Sequence, residues 1–150
     1  MANACTGTVF SFPTPVLSMH DGSLLPRSSW IPLLSISHRY EFLNVRERAI
    51  CEIYDPQGNS VPDPEPPDNL TLILTAEKYD VPPQQAFPPF VALVMRNESL
   101  TEVEITRLPA LTVYRLAHAR EEYLRRKRSF GGDHNLAIEI VCDIWPAGKQ

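Results

Sequence analysis

Residues 110–128, ALTVYRLAHAREEYLRRKR, form the longest stretch of this sequence with helical spacing. Side chains three and four positions apart share one face of a helix, and the pattern continues for about five turns. One face contains Ala110, Val113, Tyr114, Ala117, Glu121 and Leu124, and we expect it to be buried as far as Glu121, where it meets solvent. The basic residues that follow suit the negative end of the helix dipole, and Gly131-Gly132 then stops the helix.

Helix-start signals precede other segments. Thr101 is followed three residues later by Glu104, which is a capping box, and Pro109 favours a new helix start. Asp68 is a suitable N-cap for a helix over 69–79. The predicted core face of that helix contains Leu72, Ile73, Ala76 and Tyr79.

Two further helices are predicted upstream of this segment. The first follows Ser28 and Ser29, and its stripe is Trp30, Leu33, Leu34 and Ser37. Asn44 with Glu47 resembles a capping box for the second. The stripe of that second helix is Val45, Ala49 and Ile53.

Two downstream segments need a choice between structures. Pro88 and Pro89 predict a loose turn, a break and a helix that begins near Pro89. The tail at 133–145 alternates like a strand at Leu136, Ile138 and Ile140 but repeats every four residues at Ala137, Val141 and Trp145. We favour a short helix, because no other clear strand is available to pair with it.

These elements predict an all-α fold, a small bundle of five to seven short helices. Residues 1–27 are expected to be irregular or extended, and 28–146 to form the helical domain. The connection at 55–67, DPQGNSVPDPEPP, is expected to be an exposed proline-rich loop. Most of the aromatic residues Trp30, Tyr40, Phe42, Tyr79, Phe90, Tyr114 and Trp145 are predicted to lie in the core.

Composition narrows the class of protein. The chain has 150 residues and a net charge of -4, so it offers no global attraction to nucleic acid or anionic membranes. Cys5, Cys51 and Cys142 are odd in number and widely spaced, which favours reduced thiols and a cytoplasmic or nuclear location. No apolar run approaches the roughly 18 residues that a bilayer crossing needs. We therefore expect no membrane partner.

Reactive sites are not expected. The four histidines, His20, His38, His118 and His134, have no ligand partner at metal-binding spacing. The sequence also contains no nucleophile elbow, paired-carboxylate or phosphate-loop motif. We expect no enzyme activity, no metal and no cofactor.

The order of the helical segments resembles a known family. SSWIPLLSISHRYEFLNVRERAI, DNLTLILTAEKYDVPP and ESLTEVEITRLPALTVYRLAHAREE are similar to the helical region that follows the BTB fold in fungal BTB/POZ proteins. The matching positions are Trp30, Phe42, Ala76, Lys78, Tyr79, Val81 and Ala119-Arg120-Glu121. The resemblance covers 28–122 and rests on packing signatures.

The resemblance implies a non-enzymatic protein-interaction module of adaptor type, with ubiquitin-ligase or transcription-related partners. We expect the BTB core, which dimerises such proteins, to be missing or truncated here, since 1–27 is too short for it. We therefore expect the surface that it would cover to be exposed at Ile31, Leu34 and Phe42. Such an apolar face predicts a protein partner or weak self-association.

A basic cluster supports an alternative function. Arg125, Arg126, Lys127 and Arg128 end the long helix and resemble a nuclear-localisation or phosphate-binding patch, as in a nucleic-acid-associated regulatory factor. The cluster is also typical of a solvated helix end that the dipole favours. No aromatic residues are interleaved with it, so nucleic acid is not the partner that we expect.

Overall fold

The structure is a computed structural model that describes residues 25–55, 61–131 and 133–145. Within these ranges the chain forms seven α-helices and no strand, which confirms the predicted all-α class. The helices are α1 (Arg27–Arg39), α2 (Leu43–Tyr54), α3 (Asn69–Lys78), α4 (Phe87–Met95), α5 (Glu102–Arg107), α6 (Ala110–Phe130) and α7 (His134–Ile144). The choice of a helix for the C-terminal tail is therefore confirmed. The predicted N-terminal segment 1–27 lies mostly outside the described residues, and its last residue, Arg27, already belongs to α1.

Helix α4 is the centre of the bundle. Its sequence, FPPFVALVM, is apolar on nearly every side, so it can pack against several helices at once. It contacts α3, α6 and α7 and also touches α2, whereas α1 packs mainly on α2. The predicted core residues Leu72 and Ile73 of α3 are buried beside it, as are Ala49 and Ile53 of α2.

Side-chain caps begin three of the helices. The Asp68 carboxylate accepts from the Thr71 backbone N–H at 2.8 Å, and Thr101 and Glu104 form the complete capping box, as predicted. Asp133 caps α7 in the same way. Each cap satisfies a backbone N–H that the first helical turn leaves without a partner.

The predicted capping box at Asn44 is wrong, because the N-cap of α2 is Phe42, two residues earlier, and the helix begins at Leu43. The Phe42 N–H donates to the Ser37 carbonyl at 2.9 Å, and the Arg46 N–H donates to the Phe42 carbonyl at 2.9 Å. The turn that ends α1 therefore leads directly into α2. This short connection leaves no room for the predicted cap.

The predicted core face of α6 is also wrong. The residues that α6 buries are Thr112, Leu116, Ala119, Arg120 and Tyr123. Of the predicted face, Val113 is half-buried, and Ala110, Tyr114, Ala117, Glu121 and Leu124 are exposed. The reason is that two buried residues are polar but paired: the Thr112 hydroxyl donates to the Glu77 carboxylate, and Arg120 donates to backbone carbonyls. Hydropathy spacing assigns such residues to the solvent side.

A buried arginine ties α6 to the connection between α4 and α5. The Arg120 guanidinium donates to the carbonyls of Leu93 at 3.3 Å, Asn97 at 3.4 Å and Glu98. Backbone carbonyls that end α4 would otherwise lack partners. The Arg120 side chain of α6 therefore acts as the C-terminal cap of α4.

Part of the connection between α2 and α3 is anchored. Residues 56–60 lie outside the described residues, and 61–66 are exposed except at Asp63. The Asp63 carboxylate accepts from the Ser28 N–H at 2.7 Å and from the Ser28 hydroxyl at 3.1 Å. Partial burial opposes ionisation of this carboxyl, but hydrogen bonds from Ser28 and Glu65 outweigh burial and lower the pKa of Asp63. Asp63 of this loop thus caps the N-terminus of α1, although it lies 35 residues from Ser28 in the sequence.

Candidate functional site

The three residues of the predicted partner face lie in different environments. Phe42 is exposed, which agrees with the predicted partner face and not with the predicted core position, whereas Ile31 is half-buried against the core. The expectation that Leu34 is exposed is wrong, because its side chain is completely buried where α1 packs on α2. Only Phe42 of this set is therefore available for strong contact with a partner.

Phe42 belongs to a cluster of exposed apolar side chains where α1 turns into α2. We call this cluster the α1–α2 corner and define it as Ile36, Tyr40, Phe42 and Leu43. Their exposed fractions are 50%, 59%, 55% and 67%, respectively. Single exposed apolar residues are ordinary on protein surfaces, but grouped ones mark interaction sites.

The two aromatic rings of the corner are held together. Tyr40 and Phe42 stack with their centroids 6.0 Å apart and an interplanar angle of 26°, and Arg39 lies over the Tyr40 ring at 5.7 Å. Between them Glu41 has a φ of 56°, a left-handed conformation that is uncommon for residues other than glycine. Glu41 is thus the left-handed residue of the turn that ends α1.

A second helix end in the molecule offers a comparison. α3 ends in the same kind of turn, with Asp80 at a φ of 49° and the Val81 N–H donating to the Ala76 carbonyl at 2.9 Å. Both turns place an apolar residue immediately after the left-handed one, the position that commonly packs back on its own helix. Val81 is buried there, whereas Phe42 is exposed. At the α1–α2 corner the turn therefore presents an apolar side chain to solvent.

The corner also lies beside the end of α3. The His38 and Tyr79 rings meet edge to face with centroids 5.7 Å apart. Arg46 donates to the carbonyls of Tyr79 at 3.1 Å and Asp80 at 2.9 Å. These contacts fix the corner to the body of the bundle through two helices. The arrangement presents exposed apolar side chains on a backbone held by hydrogen bonds and ring contacts.

The basic cluster of α6 is partly neutralised. Arg125 and Arg126 both contact the Glu122 carboxylate at 2.6 Å, and Arg126 also contacts Glu139 of α7 at 2.9 Å. The hydrogen bonds from Arg125 and Arg126 lower the pKa of Glu122 to about 2. Lys127 lies over the Tyr123 ring at 5.7 Å. The predicted patch is therefore a mixed ionic surface, in which Lys127 and Arg128 have no ion pair within the described residues.

Sequence reasoning missed Ile36, Tyr40 and Leu43. Phe90 and Trp145 are buried as predicted, but the prediction of a core position is wrong for Tyr40, Phe42 and Tyr114, which are exposed. A usable signal was present in α1: Ile36 and Tyr40 are four residues apart and lie away from the stripe that contains Leu34 and Ser37. A helix with a second apolar face has apolar side chains that packing inside the bundle does not cover.

Two classes of site are absent from the residues that the structure describes. These residues contain no group of three His, Cys, Asp or Glu side chains placed to hold a metal ion. None of their helices has the length and apolar character that a bilayer crossing needs. Comparison of the chain with known protein families, curated proteins and solved structures found no match.

Proposed function

We propose that this protein is a non-enzymatic interaction module that binds a protein partner through the α1–α2 corner. The observation that carries the proposal is the exposure of four large apolar side chains within residues 36–43. Burying a fully exposed large apolar side chain contributes about 1.5–3 kcal/mol, and these four are 50–67% exposed, so covering one of them contributes roughly half of that. A partner that covers most of the corner therefore gains enough to offset part of the cost of association.

The geometry of the corner lowers that cost. Aromatic side chains with few rotatable bonds are the usual anchors of interfaces, and Tyr40 and Phe42 are already stacked. The Tyr40 N–H donates to the Ile36 carbonyl at 3.0 Å and the Phe42 N–H to the Ser37 carbonyl, so the backbone is also held. Binding of a partner therefore costs little further conformational entropy in the corner. The partner best suited to this surface offers an apolar pocket of its own.

Family resemblance supports the same role. Residues 28–122 resemble the helical region of fungal BTB/POZ adaptors, and on this basis we propose a ubiquitin-ligase or transcription-related assembly. Cys51 and Cys142 are free thiols, which supports a cytoplasmic or nuclear place of action. The ionic pairing of Arg125 and Arg126 weakens the case for nucleic-acid binding by α6. The proposal therefore rests on apolar contact.

Proximity labelling in cells, followed by pull-down in low and high salt, tests this function. The test variant is Tyr40→Ser with Phe42→Ser, and the matched control is Leu111→Ser with Tyr114→Ser, which removes equally exposed residues from α6. We expect the first pair to lose the labelled partners and the second to keep them. We also expect capture to persist in high salt, because apolar contacts release no counterions.

The opposite pattern contradicts the proposal. Partners that survive the change at Tyr40 and Phe42 but are lost with the α6 control would assign binding to α6 instead. Capture that falls steeply with salt would favour the nucleic-acid alternative. Sedimentation of the purified chain distinguishes self-association, since a second copy bound at the corner makes the mass depend on concentration.

A further inference from the structure

A concave groove lies on a different part of the bundle from the α1–α2 corner residues. It is formed by α2, by residues 84–85 before α4, by the first turns of α4 and by the N-terminal half of α7. Its volume is about 410 Å³. Small-molecule sites are typically concave and about 300–1,000 Å³ in volume. The groove is thus of ligand size.

The wall residues of the groove are mostly apolar and firmly held. Ile50 and Tyr54 of α2, Val91 of α4 and Ile138 of α7 line it. Ile50, Tyr54 and Val91 are core residues, and the Tyr54 hydroxyl donates to the Leu72 carbonyl at 2.8 Å. Burial accordingly raises the pKa of Tyr54, which keeps its hydroxyl protonated as a donor. The shape of the groove is therefore set by the packed core.

Polar groups complete the lining. Gln84, Gln85 and Cys51 line the groove and have uncharged hydrogen-bonding side chains. Asp55 and His134, the first residue of α7, also lie along it. Because most of the lining is apolar or uncharged, an uncharged ligand fits the groove better than an anion or a cation.

From the volume, the apolar wall and the neutral polar lining, we propose that this groove binds an uncharged, mainly aromatic or aliphatic small molecule. The ligand would have about the size of two to three rings and a single hydrogen-bonding group near Gln84 and Gln85. Its apolar body lies against Val91 and Ile138. This site is independent of the partner surface proposed above.

N-phenylnaphthylamine, a neutral fluorescent molecule of three aromatic rings and one N–H, is the probe for the test. We expect saturable fluorescence enhancement with one probe per chain. Its sulfonated analogue, anilinonaphthalene sulfonate, should bind about tenfold more weakly, because taking a sulfonate out of water into a mostly apolar groove is costly. Bound probe should also slow alkylation of Cys51, which is exposed in the free protein.

Two variants fill the groove from opposite sides. Ile138→Trp and Cys51→Trp should each weaken the binding of N-phenylnaphthylamine about tenfold or more. Because Cys51 is exposed, its variant should keep the wild-type melting temperature, so loss of binding there does not reflect unfolding. Glu47→Trp, at an exposed position of the same helix, is the control and should bind as wild type does.

Two results would overturn the proposal. One is the absence of saturable binding to the wild-type protein. The other is probe binding that both tryptophan variants retain, or that Tyr40→Ser with Phe42→Ser abolishes, because the probe would then report the corner. Neither result bears on the protein partner, which is tested separately.

Discussion

Glu104 is held by Arg96 through two hydrogen bonds of 2.8 Å, one to each carboxylate oxygen. The Thr101 N–H donates a third, at 2.7 Å. The guanidinium of Arg96, followed by the backbone N–H of Thr101, lowers the pKa of Glu104 from 4.5 to about 2. One carboxylate therefore closes the capping box of α5 and anchors the end of α4.

Replacing this carboxylate tests its contribution. Glu104→Gln should lower the free energy of unfolding at pH 7 by about 1–2 kcal/mol, because charged acceptors form stronger hydrogen bonds than neutral ones. The folded pKa is depressed, so the stabilisation is complete above pH 4.5 and is lost as the pH falls towards 2. Urea unfolding across this range should show the difference between variant and wild type shrinking. Glu102→Gln, exposed on the same turn, should show no such convergence.

Arg120 should be needed for stability, although it is a charged residue in a helix. Arg120→Met removes the donors to the carbonyls of Leu93, Asn97 and Glu98, and we expect a loss of about 1–3 kcal/mol in thermal or urea unfolding. Arg125→Met makes the same change at a side chain that is 72% exposed, and it should cost less than about 0.5 kcal/mol. Equal effects of the two changes would mean that the buried hydrogen bonds contribute nothing.

A matched pair of leucines separates core from surface at the corner. Leu34→Ala should destabilise the fold by about 2–5 kcal/mol, because the side chain is completely buried and a cavity remains. Leu43→Ala should change stability by less than about 0.5 kcal/mol, since that side chain is 67% exposed. Calorimetry of both variants measures this. A Leu34→Ala variant that is as stable as the wild type would show that the Leu34 side chain of α1 does not contribute to the core.

The connection between α2 and α3 should be the first site of cleavage by a broad-specificity protease. Its prolines prevent regular backbone pairing, and most of its described residues are exposed. Asp63→Ala removes the hydrogen bonds to Ser28, so cleavage within 55–67 should become faster. Glu65→Ala is the control, since the Glu65 side chain is exposed and its contact with Asp63 is made by the backbone N–H, which alanine keeps. First cleavage within 111–124 of α6 would contradict this organisation.

Local sequence predicted much of the fold. Asp68 and the Thr101–Glu104 pair are found as caps, because capping depends on residues within one turn of each other. The stripes containing Ile73 and Ala49 are buried as expected, since apolar residues dominate those faces. Asn44 shows the limit of such signals. Its capping pattern was present, but the turn through Phe42 starts α2 two residues earlier than that pattern predicts.

The candidate site depended on long-range packing. Leu34 and Phe42 were both expected to be exposed, but α1 packs on α2 through Leu34 and leaves Phe42 outside. Which face of a short helix is covered depends on the helix that meets it. Sequence spacing alone contains no information on that choice when both faces are apolar.

The sequence by itself determined that the chain forms helices, where several of them begin, and that proline and glycine separate them, because these properties depend on neighbouring residues. Tertiary structure alone decided which side of α6 is buried. There Thr112 finds Glu77, and Arg120 finds the carbonyls at the end of α4. Polar groups are buried when distant partners satisfy their hydrogen bonds, and only the folded arrangement brings those partners within reach.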